Sequence, residues 1–147
     1  MSILLAYDGK PMSQRALDYA IEHSVRYEQP LYILTVVKED QVDPDDVDES
    51  IRQYMENARD MAVDAGAVAH SIIMTGRPDE TVLDVADRYD CDTIIVGKSN
   101  RSSLDRLLMG SVSTYVVKNA NCTVIVVSDS SERSDPLLDA RGPRWAL

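Results

Sequence analysis

TIIVGKSNRSSLDRLLMGSVSTYVV, residues 93–117, contains three kinds of chain in succession. Thr93 to Val96 is a short run of β-branched residues with no polar alternation, as in a strand buried on both faces. A loop of glycine, serine and basic residues follows. From Ser111 onward Val112, Tyr115, Val116 and Ala120 recur at helical spacing. A doubly buried strand leading straight into an amphipathic helix is the unit from which parallel sheets are built, because a parallel neighbour is reached only through a crossover.

The same unit repeats on either side. Ile3 to Tyr7, Leu31 to Val37, Val68 to Met74 and Thr123 to Val127 are further short apolar runs, making five strands. Ala16, Tyr19, Ala20 and His23 follow Ser13 at helical spacing. Ile51, Met55, Ala58 and Ala62 precede Gly66, and Val82, Leu83, Val85 and Ala86 follow Pro78, a proline suited to a first helical turn. Strands alternating with four helices predict an α/β fold: an open parallel sheet with helices on both faces and right-handed crossovers. KEDQVDPDDVDE, residues 38–49, reads as a solvated loop entering the second helix.

At 147 residues the chain is the size of one domain. Residues 1–127 carry the alternating pattern. Residues 128–147 are mostly polar, with Pro136, Gly142 and Pro143, and read as a C-terminal tail. Leu137, Leu138, Trp145 and Leu147 give that tail apolar anchors, so an ordered extension is expected. No apolar run approaches the roughly 20 residues that span a bilayer, and MSILLAYDGK lacks the basic and small-residue marks of a secretory signal. A cytoplasmic location is expected. Cys91 and Cys122 form no CxxC, so neither a disulfide framework nor a zinc site is suggested.

The net charge is −10, with aspartate well in excess of glutamate. Such a surface repels nucleic acid and acidic membranes, and suits a cytoplasm of high salt where self-repulsion is screened. Against that background the quoted loop is basic: Lys98, Arg101 and Arg106 face Asp105 alone between Gly97 and Ser111. In an open parallel sheet ligands sit beyond the carboxyl ends of the strands, where the strand order reverses. Two stretches fall at the carboxyl ends of strands, Asp8 in AYDGK and the loop after strand four. Gly97 permits close approach to the backbone, and Gly110-Ser111 opens a helix whose first N–H groups lack partners, so the loop reads as a phosphate cradle. GxxxxGK[ST] and a GxGxxG after strand one are both absent. His23 and His70 have no third ligand or nucleophile at a recognisable spacing and read as structural.

The spacing Gly97, two residues, Asn100, nine residues, Gly110-Ser111 resembles the nucleotide motif of the universal stress protein family, G-x2-G-x9-G-[ST], with Asn100 in place of the second glycine. AYDGK resembles that family's opening strand and turn, ILTVV its second strand, GRPDETVLDVADRYDCDTIIVG its third helix and fourth strand, and NCTVIVV its last strand. The resemblance implies a strand order of 3-2-1-4-5, as in adenine nucleotide alpha hydrolase-like folds. Similarity to the ATP-binding branch implies that Asp8 lies near the ribose or adenosine, Ala6 and Tyr7 beside the base, and Val36 on the adenine. Gly97, Asn100, Gly110 and Ser111 would line the phosphates, and Lys98, Arg101 and Val112 complete the candidate set. Mg2+ would be held mainly by the phosphates of ATP. The family also implies a homodimer formed through the Thr123–Val127 edge strand.

Asparagine is the least costly substitute for glycine in a left-handed conformation. Lys10 stands where the family often has serine, and adds charge suited to phosphate. No water-positioning carboxylate accompanies the cradle, so a stress-response or signalling protein with slow or no ATP hydrolysis is expected. A non-nucleotide-binding dimerisation module and a slow ATPase are the alternatives. A phosphoacceptor receiver would need an aspartate at the end of strand three, where Met74-Thr75-Gly76-Arg77 stands.

Overall fold

The computed structural model describes residues 1–38, 48–99 and 110–129. In chain order the elements are β1 (Ser2–Ala6), a 3-10 turn (Pro11–Ser13), α1 (Gln14–Tyr27), β2 (Leu31–Val37), α2 (Glu49–Asp64), β3 (Ala69–Thr75), α3 (Pro78–Arg88), β4 (Cys91–Ser99), α4 (Ser111–Asn119) and β5 (Thr123–Asp129). The strands form one parallel sheet in the order β3-β2-β1-β4-β5, as the resemblance implied.

Alternation along each strand sends side chains to two separate cores. Ile3, Leu5, Leu31, Ile33 and Ile95 pack beneath α1 and α2 with Leu17, Ala20, Met55, Ala58 and Ala62. Leu4, Leu34, Ile94 and Val96 pack beneath α3 and α4 with Val82, Val85 and Val116. Leu4, Leu5, Ile94 and Ile95 are fully buried, each burial contributing roughly 1.5–3 kcal/mol. That explains why the strands read as apolar runs.

Helix limits follow local chemistry. Pro78 opens α3, where a missing N–H costs nothing. Asp48 caps α2, its carboxylate accepting from the Ser50 N–H at 3.1 Å. The buried face of α1 is Ala16, Leu17, Ala20, Ile21 and Ser24, which corrects the expected stripe. Tyr19 lies on the outer side and forms a column with His23 and Tyr27, their ring centroids 6.0 and 4.6 Å apart. Leu17 and Ile21 have the same helical spacing and no polar atom to solvate, so they occupy the core.

Two strands run longer than their apolar runs. β4 starts at Cys91, with a register irregularity where Ser2 pairs with Cys91 and Ile3 with Thr93. At its other end Lys98 and Ser99 pair with Ser128 and Asp129. Backbone pairing carries the ladder past the last apolar side chain.

Candidate functional site

Three strand ends and the start of α4 surround one large cavity. Tyr7, at the end of β1, is anchored by its N–H to the Leu34 carbonyl at 2.8 Å. The chain then turns through Asp8 and Gly9, whose φ of 74° suits glycine. The Asp8 Oδ1 accepts from the Lys10 N–H at 2.9 Å and from the Ser13 hydroxyl at 2.7 Å. The carboxylate is therefore held by its own turn and borders the cavity.

β2 contributes Thr35, Val36, Val37 and Lys38 to the wall, and β4 contributes Val96, Gly97 and Lys98. α4 is tied to β4 by the buried Ser113, whose hydroxyl donates to the Gly97 carbonyl at 3.0 Å. Gly110 caps α4, its carbonyl accepting from the Thr114 N–H at 2.9 Å. The first N–H groups of α4 have no intrahelical acceptor and offer donors to an anion.

The cavity measures about 970 Å³ and is lined by Ala6, Tyr7, Asp8, Val36, Gly97, Lys98, Gly110 and Val112 among the expected residues. Ser111 lines a smaller adjoining cavity of about 480 Å³ with Lys38, Arg77 and Val112. Asn100 and Arg101 lie outside the described residues. Asp8 is the one carboxylate among the described residues lining the larger cavity, whereas Lys10, Lys38 and Lys98 all do so. Only one further lysine, Lys118, occurs in the chain.

Gly97 and Gly110 both border the larger cavity. Gly110 has φ −58° and ψ 164°, open to any residue, and a Cβ there would meet nothing within 4 Å among the described residues. A Cβ on Gly97 would point at the Ala16 side chain, 3.6 Å away, so this glycine borders α1 as well as the cavity.

Residues 1–128 match the family model described as the universal stress protein family. The chain belongs to the universal stress protein family. Universal stress protein YxiE of Bacillus subtilis (strain 168) is 30% identical over 143 residues, covering 85% of this chain and 97% of that one. Universal stress protein MJ0531 of Methanocaldococcus jannaschii is 27% identical over 139 residues, covering 85% and 80% respectively. A universal stress protein solved in complex with cAMP superposes with a TM-score of 0.72 at 26% identity, covering 88% of this chain and 98% of that one.

In this universal stress protein the largest omission from the sequence reading is Tyr54, on α2. Its hydroxyl lies 2.9 Å from that of the buried Thr35, and its ring meets Tyr7 edge-on at 5.8 Å. Burial pushes both tyrosines above their ordinary pKa, with Asp8 adding to the effect. No spacing links Tyr54 to the strand ends, so no motif reveals it. Lys38 was more accessible, as a cation placed at the carboxyl end of a buried strand. Cys91 and Cys122 are free thiols; Cys91 is buried in the core beneath α3 and α4, and the half-buried Cys122 packs against it. His70 stacks on Tyr32 with ring centroids 5.3 Å apart, a packing role.

Proposed function

We propose that this universal stress protein binds an adenine nucleotide, ATP in the first instance, in the cavity at the carboxyl ends of β1, β2 and β4. One observation carries the reading: three of the four lysines in a chain of net charge −10 line that single cavity. With three lysines against the carboxylate of Asp8 among the described residues, the net positive charge gathered in a concave site focuses the field there and favours a polyanion. The walls combine this charge with apolar groups in a volume suited to a ligand of nucleotide size. The cAMP complex of a relative supports the same class of ligand.

Lys10, Lys38, Lys98 and the N–H groups of Gly97 and Gly110-Ser111 would meet the phosphates, with Asn100 and Arg101 from the loop between. Ala6, Tyr7 and Val36 would border the base, and Asp8 the ribose. Mg2+ fits as an ion carried by the phosphates, since Asp8 is the one cavity carboxylate among the described residues. One oxygen of Asp8 already accepts two hydrogen bonds, which leaves it poorly placed as a general base. Turnover should be slow or absent, at most a weak ATPase.

The working form we propose is a cytoplasmic stress-response or signalling homodimer, its domain spanning residues 1–127 with 128–147 as a tail. β5 pairs with β4 alone among the described residues, leaving an edge for the Thr123–Val127 strand of a second copy to cover. The acidic surface disfavours nucleic acid and membrane partners, and no described helix is long and apolar enough to cross a membrane. Calorimetry with Mg-ATP on the wild type and Asn100→Gly tests the central claim. Saturable binding at or below millimolar ATP supports it. Two flat titrations would replace it with the non-nucleotide-binding dimer module, and steady ADP release would move it to the slow ATPase.

A further inference from the structure

Tyr54 occupies a position that the phosphate chemistry of the cavity does not explain. A Cβ on Gly9 would lie 2.6, 2.6 and 2.7 Å from Cγ, Cδ2 and Cδ1 of its ring. Near-equal distances to three ring atoms put that point over the face of the ring, so one face of Tyr54 rests on the Gly9 backbone. The Tyr7 ring meets it at 79°. At its far end the phenol hydroxyl supplies the hydrogen-bond partner of Thr35, which is only 5% exposed. An aromatic ring fastened by a backbone, a second ring and a buried hydroxyl is pre-organised, and contact with it costs a ligand little ordering. Tyr54 is also a wall of the cavity, beside Ile51.

We infer that Tyr54 is the specificity-determining residue that makes this cavity prefer a base-bearing polyphosphate to a bare one. The inference rests on the nucleotide reading above and adds to it a residue from α2, an element outside the family motif. The lysines attract any polyphosphate equally. An aromatic wall rewards only a ligand that carries a flat π-face, and rewards every base to a similar degree. The base then lies against Tyr54 while the phosphates extend toward Gly97, Gly110 and the lysines.

The test titrates the full-length chain with ATP and, separately, with inorganic tripolyphosphate, for wild type, Tyr54→Ala and Tyr54→Phe. Wild type should bind ATP more tightly than tripolyphosphate. Tyr54→Ala should lose roughly five- to a hundredfold in ATP affinity, with tripolyphosphate affinity held within about twofold, which also reports an intact site. Tyr54→Phe keeps the ring and should stay within about threefold of wild type for ATP. An ATP advantage that survives in Tyr54→Ala overturns the inference, as does an equal loss for both ligands. Tyr54→Phe behaving like Tyr54→Ala would assign the effect to the hydroxyl and overturn the stacking claim. If wild type binds tripolyphosphate but gains nothing from the adenosine, the inference fails while the anion site stands; if it binds neither ligand, the nucleotide reading itself has failed.

Discussion

Ser113 and Gly97, sixteen positions apart, are joined by a hydrogen bond from the Ser113 hydroxyl to the Gly97 carbonyl at 3.0 Å. The bond bridges the two ends of residues 98–112 and sets where α4 begins relative to the end of β4. Ser113 is buried, so Ser113→Ala leaves that carbonyl without its side-chain partner. We expect a loss of about 1 kcal/mol in stability, read as a fall of a few degrees in thermal midpoint. Because the same bond positions two parts of the cradle, ATP affinity should fall as well. A melt and a titration on one preparation separate the two effects.

Gly9→Ala should be costly for two independent reasons. Its φ of 74° is one that an alanine adopts only with strain, and its Cβ would fall within 2.7 Å of the Tyr54 ring. The expected destabilisation is about 1–2 kcal/mol by chemical denaturation. The ring must also shift, so the variant should lose part of the ATP advantage over tripolyphosphate even though Tyr54 remains. Gly110→Ala makes the contrast, with little stability change, because no described residue lies within 4 Å of where its Cβ would be.

Lys38 lines both cavities. Lys38→Gln should weaken ATP binding roughly ten- to a hundredfold at low salt, in keeping with loss of one charge-assisted contact. The effect should shrink toward molar KCl, since screening reduces the interaction in the wild type first. Lys118, in the last turn of α4, does not line either cavity. Its substitution by glutamine should leave both affinity and salt dependence unchanged.

Stability should decline on the alkaline side. Burial pushes the Cys91 thiol from its ordinary 9.0 up to about 11, and raises Tyr7 and Tyr54 above 10.0. These groups are neutral when protonated, and the unfolded chain releases their protons first. Between the ordinary and raised values the folded state therefore binds more protons, and stability falls as pH rises. Urea midpoints should be level below pH 9.0 and drop progressively through about 11 and beyond. Cys91→Ala should soften the early part of that fall, and the wild-type thiol should react slowly with disulfide reagents at neutral pH.

The alternation of apolar strands with amphipathic helices was legible along the chain because each strand is buried on both faces, which forbids polar alternation in runs such as Ile3 to Leu5 and Ile94 to Val96. Asp8, Gly97 and Gly110 were legible for a related reason: they sit at strand and helix ends, where local patterning marks the boundary. The face of α1 was not, since Leu17 with Ile21 and Tyr19 with His23 each recur at helical spacing and the packing against the sheet decides which pair is inward.

The strand order was readable only through the family resemblance, because hydropathy alone does not say which neighbour a strand takes. The composition of the site depended on the fold in the same way. Sequence alone determined the class of structure, two of the strand ends that border the cavity and the positive charge of the loop after β4, all of which follow from local residue chemistry. Tertiary structure decided that Lys10, Lys38 and Lys98 converge on one space, and that Tyr54 reaches Gly9 and Thr35 from another element. Such convergence comes from packing separate segments against one sheet, and no periodicity within any one segment records it.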